Sequence, residues 1–328
     1  MLNFSSHLRR VAAAAILCIL CLRLVDSGLP EKAAAFLKYL ETGRNVRFST
    51  SLAAFSPHFV ESPPAAVPEP EVKQLPSYAE IPEIWNQSGV KTDPEALLER
   101  PLQWQLVTAE PTVLIFHTHT TESYTQTDEP YWEVSAWRTL DPKYNMCAVG
   151  AEVGRLLTES GISVTLDDTV HDYPGYNGSY VRARKTLKEA LEQYPSVRLV
   201  LDLHRDASGE TGKQLRPLAE KDGEISARIM LVVGTSHENY EENLSLALKL
   251  HAQLESQYPG ITRPLQLRSS RFNQDLHPGA LLVEIGAAGN TQAEALTAAR
   301  ELAKAIIALR SGTAIKPSPS GEGGSPKG

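Results

Sequence analysis

The chain has 328 residues, enough for one large domain or two small ones, and 42% of them are hydrophobic, so a sizeable core can form. Its formal net charge is -7 with no concentrated basic stripe, which argues against a nucleic-acid partner. Three cysteines, two of them (Cys18 and Cys21) in an N-terminal apolar run, leave neither a disulfide framework nor a CxxC…CxxC zinc pattern in the main body.

Arg9 and Arg10 precede the apolar run Val11 to Leu22, which Arg23 ends and Leu24-Val25 weakly extend. A full membrane span needs ~20 apolar residues, although Arg23 can snorkel to the interface. Residues 1–29 therefore read as a membrane anchor or signal segment. No A-x-A site follows, so an uncleaved anchor is the expectation. Positive-inside logic then puts the rest of the chain outside the cytoplasm, on the cell membrane. Residues 30–104 read as a short helix near Pro30 to Leu40 followed by a proline-rich extracytoplasmic linker. In that linker Pro63-Pro64 and Pro68-Glu69-Pro70 favour extended chain. Residues 311–328, rich in Gly, Ser, Pro and Lys, read as a disordered tail.

Between them, over 105–310, strands and helices alternate. Val113 to Phe116 is a strand. Asn145 to Ser160 is helical, with Val149, Val153, Leu156 and Leu157 on one face and Gly161 as a stop. Ile162 to Leu166 is a strand, and Ser179 to Tyr194 a helix. Val197 to Leu203 and Ala227 to Val233 are strands, and Asn239 to Tyr258 is a long helix. Ala280 to Ile285 is a strand, and Thr291 with Glu294 three residues later is a capping box opening the last helix. This alternation predicts an α/β fold: a mostly parallel sheet with helices on both faces.

Three strand ends deliver unusual polar residues. His117-Thr118-His119-Thr120-Thr121-Glu122 follows the first, His204-Arg205-Asp206 the central one, and Glu284 lies inside the apolar run Leu281 to Ile285. Parallel strands open on one edge, where ligands gather. Residues two apart on a strand face the same way, so His117 and His119 share a cleft unless the chain turns after Thr118. His119, Glu122 and His204 offer two nitrogens and a carboxylate, with a fourth position left for water, the pattern of a catalytic zinc site; His117 is the substitute ligand. Zinc would acidify bound water, and Glu284 would carry its proton to a leaving amine. Glu284 is costly in an apolar strand unless paired or functional. Arg205 either pairs with Asp206 or holds a substrate carboxylate. His171, His237 and His251 lack supporting neighbours, with His251 structural. His277, before Pro278-Gly279 at the cleft edge, suits a loop role ahead of a substrate contact, and Cys147 suits a small buried side chain in a first helical turn ahead of a nucleophile. A Ser triad from Ser123 or Ser269-Ser270 with His204 and Asp206 lacks the G-x-S-x-G elbow.

These residues resemble the stage II sporulation protein P family. The resemblance rests on His117 to Tyr124, Leu203 to Ala207, Asn273-Gln274-Asp275-Leu276 with Pro278-Gly279, and Val283-Glu284-Ile285-Gly286 with Asn290-Thr291. It covers about 110 to 310, in order. It implies a zinc-dependent N-acetylmuramoyl-L-alanine amidase acting on peptidoglycan in the septal wall during sporulation and engulfment, with endopeptidase activity on stem-peptide cross-links. It also implies a fold similar to the zinc amidases of the cell wall, with Glu284 catalytic and His119 and His204 on the metal; those amidases place their glutamate ligand further along, in the helix, so Glu122 rests on the residues alone. Arg205, Asn273 and Gln274 are expected to meet substrate, and a lytic transglycosylase and a membrane scaffold protein are expected partners. Two positions depart from the family pattern: Ala287 stands where glycine is expected, and His277 where a small polar residue is. A membrane-held module that binds peptidoglycan and recruits other hydrolases without turnover is the alternative.

Overall fold

The computed structural model describes residues 78–102, 104–125, 137–207, 209–210, 213–311 and 316–317. The anchor expected at 1–29, the helix near Pro30 and nearly all of the tail lie outside the described residues. The chain divides into two units, Met1–Pro63 and Pro64–Gly328, and every described residue belongs to the second. Among the described residues no helix is long and apolar enough to cross a membrane.

Seven strands make the central sheet. In chain order they are β2 (Ile84–Asn86), β3 (Val113–Phe116), β4 (Val164–Leu166), β5 (Leu199–Asp206), β10 (Ile229–Gly234), β11 (Leu265–Arg268) and β12 (Ala280–Ala287). Their spatial order is β2-β11-β10-β12-β5-β3-β4. All neighbours are parallel except β10 and β12, so two parallel blocks meet head to tail at one seam. β3, β5 and β12 run the same way and open on one edge, as the sequence predicts. The strand expected at Ala227 to Val233 starts later, because Ala227 closes a separate hairpin of β8 (Leu218–Lys221) and β9 (Glu224–Ala227). Two-residue pairs complete the β-structure of the described residues: β1 (Tyr78–Ala79) with β13 (Lys316–Pro317), and β6 (Gly209–Glu210) with β7 (Lys213–Gln214).

Alternation along each strand sorts side chains onto two faces. Ile115, Leu201, Leu203, Leu231, Val283 and Ile285 point to the larger core cluster. α2 (Met146–Glu159), α4 (Tyr240–Gln257) and α5 (Gln292–Ala308) cover that face, and α1 (Pro94–Glu99) packs on α4 through buried Leu97 and Leu98. Leu114, Phe116, Val200 and Ala280 point to the other face, under α3 (Ser179–Gln193) through Ala183 and Leu187. Helices thus flank both faces, unequally. Farther along this second face Met230, Val232 and Leu282 form a smaller apolar patch that no α-helix among the described residues covers, with Phe272 against it.

The helices start where the sequence says they should. The Asn145 side chain accepts from Cys147 N–H, capping α2, and Cys147 is buried in the first turn. Thr291 and Glu294 form the capping box of α5. The linker expected up to residue 104 does not reach that far. Ile84–Asn86 is an edge strand of the sheet, and Pro94–Glu99 is a helix in the core, so residues 78–102 belong to the domain. Short apolar stretches between prolines read as linker when taken alone, but their apolar side chains find partners here.

Candidate active site

The segment after β3 turns at residues 118–121, so only one of the two histidines faces the sheet edge. His117 points the other way, into the core beneath α2. Its Nδ1 lies 3.1 Å from Leu203 O, and a Cβ on Gly150 would sit 2.8 Å from its Nε2, which is why α2 carries glycine there. The substitute-ligand role expected of His117 therefore has no geometric support.

His119, Glu122 and His204 come together. The His119 and His204 rings are 5.2 Å apart, centre to centre, and nearly perpendicular. His204 Nδ1 lies 3.6 Å from Glu122 Oε2, and the Arg205 backbone N–H donates to that same oxygen at 3.2 Å. On the other side His204 Nε2 lies 2.9 Å from Asp202 Oδ1, an ion pair whose hydrogen-bond alignment is poor. Asp202 also accepts from Thr118 N–H at 2.7 Å and from the Thr118 hydroxyl at 2.6 Å, tying the β3 turn to β5. Glu284 is directly opposite His204 across β12 and β5, so the two side chains share a face. A bulge follows, and Gly286 with φ of +67° makes the kink. Since the left-handed turn falls on Gly286, alanine at 287 sits in ordinary strand conformation, buried, and the family's expected glycine is not required there.

Buried groups of both signs meet at the site. Burial alone would raise the Glu122 pKa, but the Arg205 guanidinium and His204 more than offset it and hold the carboxyl well below the usual range. Burial alone would lower His204, yet Asp202 and Glu122 raise it well above an ordinary histidine. His119 is lowered, chiefly by burial. Glu284 is pushed up to about 8, mainly by burial and further by the nearby carboxylates of Glu122 and Asp206, against the pull of His204.

His119 Nδ1 and Glu284 Oε2 are buried without a hydrogen-bond partner. Such orphans cost about 1–3 kcal/mol each and call for a ligand. Two imidazoles on one tetrahedral zinc, each nitrogen ~2.0–2.1 Å from the ion, would have ring centres roughly 5 Å apart. The donor set, the orphaned nitrogen and the ring spacing therefore fit a zinc-like cation. Among the described residues no three His, Cys, Asp or Glu donors already close on a single point, so gripping an ion takes some movement of these side chains.

The expected substrate residues sit elsewhere in the hydrogen-bond network. Arg205 is buried and donates to the carbonyls of Ser123 and Trp137 at 3.0 Å each, bracing the loop that carries Glu122. Asp206 instead pairs with Arg263 at 2.8 Å, so the suggested Arg205–Asp206 pair does not form. Gln274 spends both ends of its amide on backbone of β10, accepting from Gly234 N–H and donating to Val232 O. Asn273 donates to Tyr180 O. His251 bonds Thr262, and His277 accepts from Gly279 N–H within its loop. Sequence reasoning missed Tyr176, whose ring stacks on His119 at 4.6 Å and whose hydroxyl is 3.2 Å from His119 Nε2. It also missed Tyr180 at the start of α3, edge-on to His119. Arg138 lies over the Tyr176 ring and pairs with Asp172 at 2.5 Å. Only Asp202 carried a legible signal, two residues before His204 on the same face.

The family model described as stage II sporulation protein P matches residues 44–307. The chain belongs to the stage II sporulation protein P family. Within that family, the stage II sporulation protein P of Bacillus subtilis (strain 168) is 29% identical over 317 residues, covering 92% of this chain and 75% of the relative. Among solved structures, the N-acetylmuramoyl-L-alanine amidase of Clostridium difficile 630 is 14% identical with a TM-score of 0.38. It covers 62% of this stage II sporulation protein P family chain and 97% of the amidase. The apo form of the N-acetylmuramyl-L-alanine amidase of Mycobacterium abscessus is 16% identical, TM-score 0.38, over 62% and 100% of the two chains.

Proposed function

We propose that this chain is a peptidoglycan hydrolase that cleaves the N-acetylmuramoyl-L-alanine amide, with stem-peptide cross-links as a second substrate, during septal wall remodelling in sporulation. Family membership supports the setting. The chemistry rests on one observation above all: a half-buried Glu284, its Oε2 buried and unpartnered, facing His204 beside a two-histidine, one-carboxylate cluster. His119, Glu122 and His204 would hold zinc. When bound, zinc polarises the scissile carbonyl and lowers the pKa of a bound water to roughly 7. Glu284 Oε2 takes the proton from the attacking water and passes it to the leaving amine. Asp202 orients His204 from behind, Arg205 and Thr118 hold the two loops, and Tyr176 and Tyr180 shield His119 from water. We further propose that an N-terminal anchor keeps the domain at the outer side of the cell membrane, where a lytic transglycosylase and a membrane scaffold protein would join it.

The test measures release of stem peptide from purified sacculi together with the zinc content of the protein. Glu284→Gln should lose at least about 10²-fold in rate, since general acid–base groups contribute 10²–10⁴-fold, while still binding zinc. Chelation should stop the wild-type enzyme and added zinc restore it. Retained hydrolysis in Glu284→Gln, or in thoroughly chelated enzyme, would refute the reading.

A further inference from the structure

The second face of the sheet carries a groove of about 560 Å³ that begins at Glu284 and Tyr180 and runs away from the histidines toward the β2 edge. Strand register lays out its floor. Glu284 is opposite Met230, Leu282 opposite Val232, Val232 opposite Gln266, and Gln266 opposite Trp85. The near floor is thus apolar, with Phe272 as a wall. The far part is different. Gln266 is only 4% exposed, yet its Oε1 has no hydrogen-bond partner. Arg268, exposed at the far rim, donates to the Gln87 amide oxygen, whereas Arg263 is held by Asp206. Trp85, 46% exposed and with its Nε1–H donating to Glu83, offers a ring face at the edge.

We propose that this groove binds a short extended peptide with acidic groups, placing its amide end at Glu284, a backbone N–H on Gln266 and a carboxylate on Arg268. The inference rests on the hydrolase reading and names the part of its substrate that this chain selects. Three features set the occupant. A buried, orphaned acceptor suits the N–H of an extended backbone. An exposed guanidinium suits a carboxylate, which it can take in bidentate fashion. The length also fits. Arg268 is opposite Gly234, four residues along β10 from Met230 and one strand over. At ~4.8 Å between strands and ~3.3 Å per residue, Glu284 and Arg268 are roughly 16 Å apart, the span of four or five extended residues.

The probe is the four-residue stem peptide released from bacterial wall, alongside the same peptide with its carboxylates amidated, each titrated calorimetrically against the full chain in detergent. Arg268→Glu should weaken binding of the acidic peptide at least tenfold and Gln266→Leu about fivefold. Amidation should weaken binding to the wild type but not further to Arg268→Glu. Arg271→Glu, an equal charge change at an exposed residue outside the groove lining, should bind as the wild type does. On sacculi, Arg268→Glu should raise KM with kcat little changed. Equal affinity of wild type and Arg268→Glu, or no binding by the wild type, overturns the groove assignment even if hydrolysis is confirmed. Binding with these sensitivities but no peptide release leaves the groove standing and removes the hydrolase reading instead.

Discussion

The Asp202 carboxylate takes the Thr118 backbone N–H on one oxygen and the Thr118 hydroxyl on the other, and the first of these oxygens also faces His204 Nε2. One side chain therefore fixes both the turn that presents His119 and the ring that would bind beside it. Outer partners of metal-binding imidazoles typically change affinity by about 10–100-fold. Asp202→Asn keeps the size and loses the charge. It should weaken zinc binding by about that factor while leaving hydrolysis recoverable at high added zinc. Glu284→Gln, which touches the reacting water instead, should not be recovered by zinc. Competition titration against a coloured chelator reads the first effect and sacculus hydrolysis the second. Unchanged zinc affinity in Asp202→Asn would show that Asp202 serves the turn alone.

At the scale of elements, α4 buries a cation on the side of the sheet away from the site. Lys249 is 0% exposed, and its Nζ donates to Leu97 O at 2.9 Å and to Ser245 Oγ at 2.8 Å, with Ser245 O farther at 3.5 Å. These are neutral acceptors, so burial, helped by Arg100, pushes the lysine down to about 8. In the unfolded chain its pKa is near 10.4. Between those values the unfolded chain binds more protons, so this group's contribution to stability rises with pH from 8 to about 10.4 and its cost is fully felt below 8. At ~1.4 kcal/mol per unit the cost is about 3 kcal/mol at most, part of it already offset by the three contacts. Ser245 Oγ still donates to Leu97 O when the ammonium is gone. Lys249→Met should therefore melt a few degrees above the wild type at pH 6–7, with the gap closing toward pH 10.5. Thermal unfolding across that range checks it, and a lower melting temperature at every pH would show that the contacts outweigh the buried charge.

Across the whole molecule, what the sequence disclosed and what it hid divide along physical lines. His119, His204 and Glu284 were legible because each ends or interrupts an apolar strand, and strands of one block share an edge. The helices α2, α3, α4 and α5 were legible because their apolar spacing is local, as are the caps of α2 and α5. The seam between β10 and β12 was not, since strand direction depends on how the β8–β9 hairpin turns the chain before β10 begins. Tyr176, which stacks on His119, and Asp172 and Arg138, which hold its turn and Tyr176, were not, because they come from irregular loops with no period to read. The edge strand β2 was hidden by its three residues and flanking prolines, and that omission has a testable consequence. A piece starting at residue 105 would lack β2 and α1. β11 would then become an open edge able to pair with another chain, and α4 would lose the cover of Leu97 and Leu98. Each buried leucine removed costs about 2–5 kcal/mol, a large share of a typical domain's stability. Residues 78–317 should therefore run as a monomer on size exclusion and unfold cooperatively, whereas 105–317 should melt far lower and associate. If 105–317 is equally stable and monomeric, residues 78–102 do not belong to the structural core.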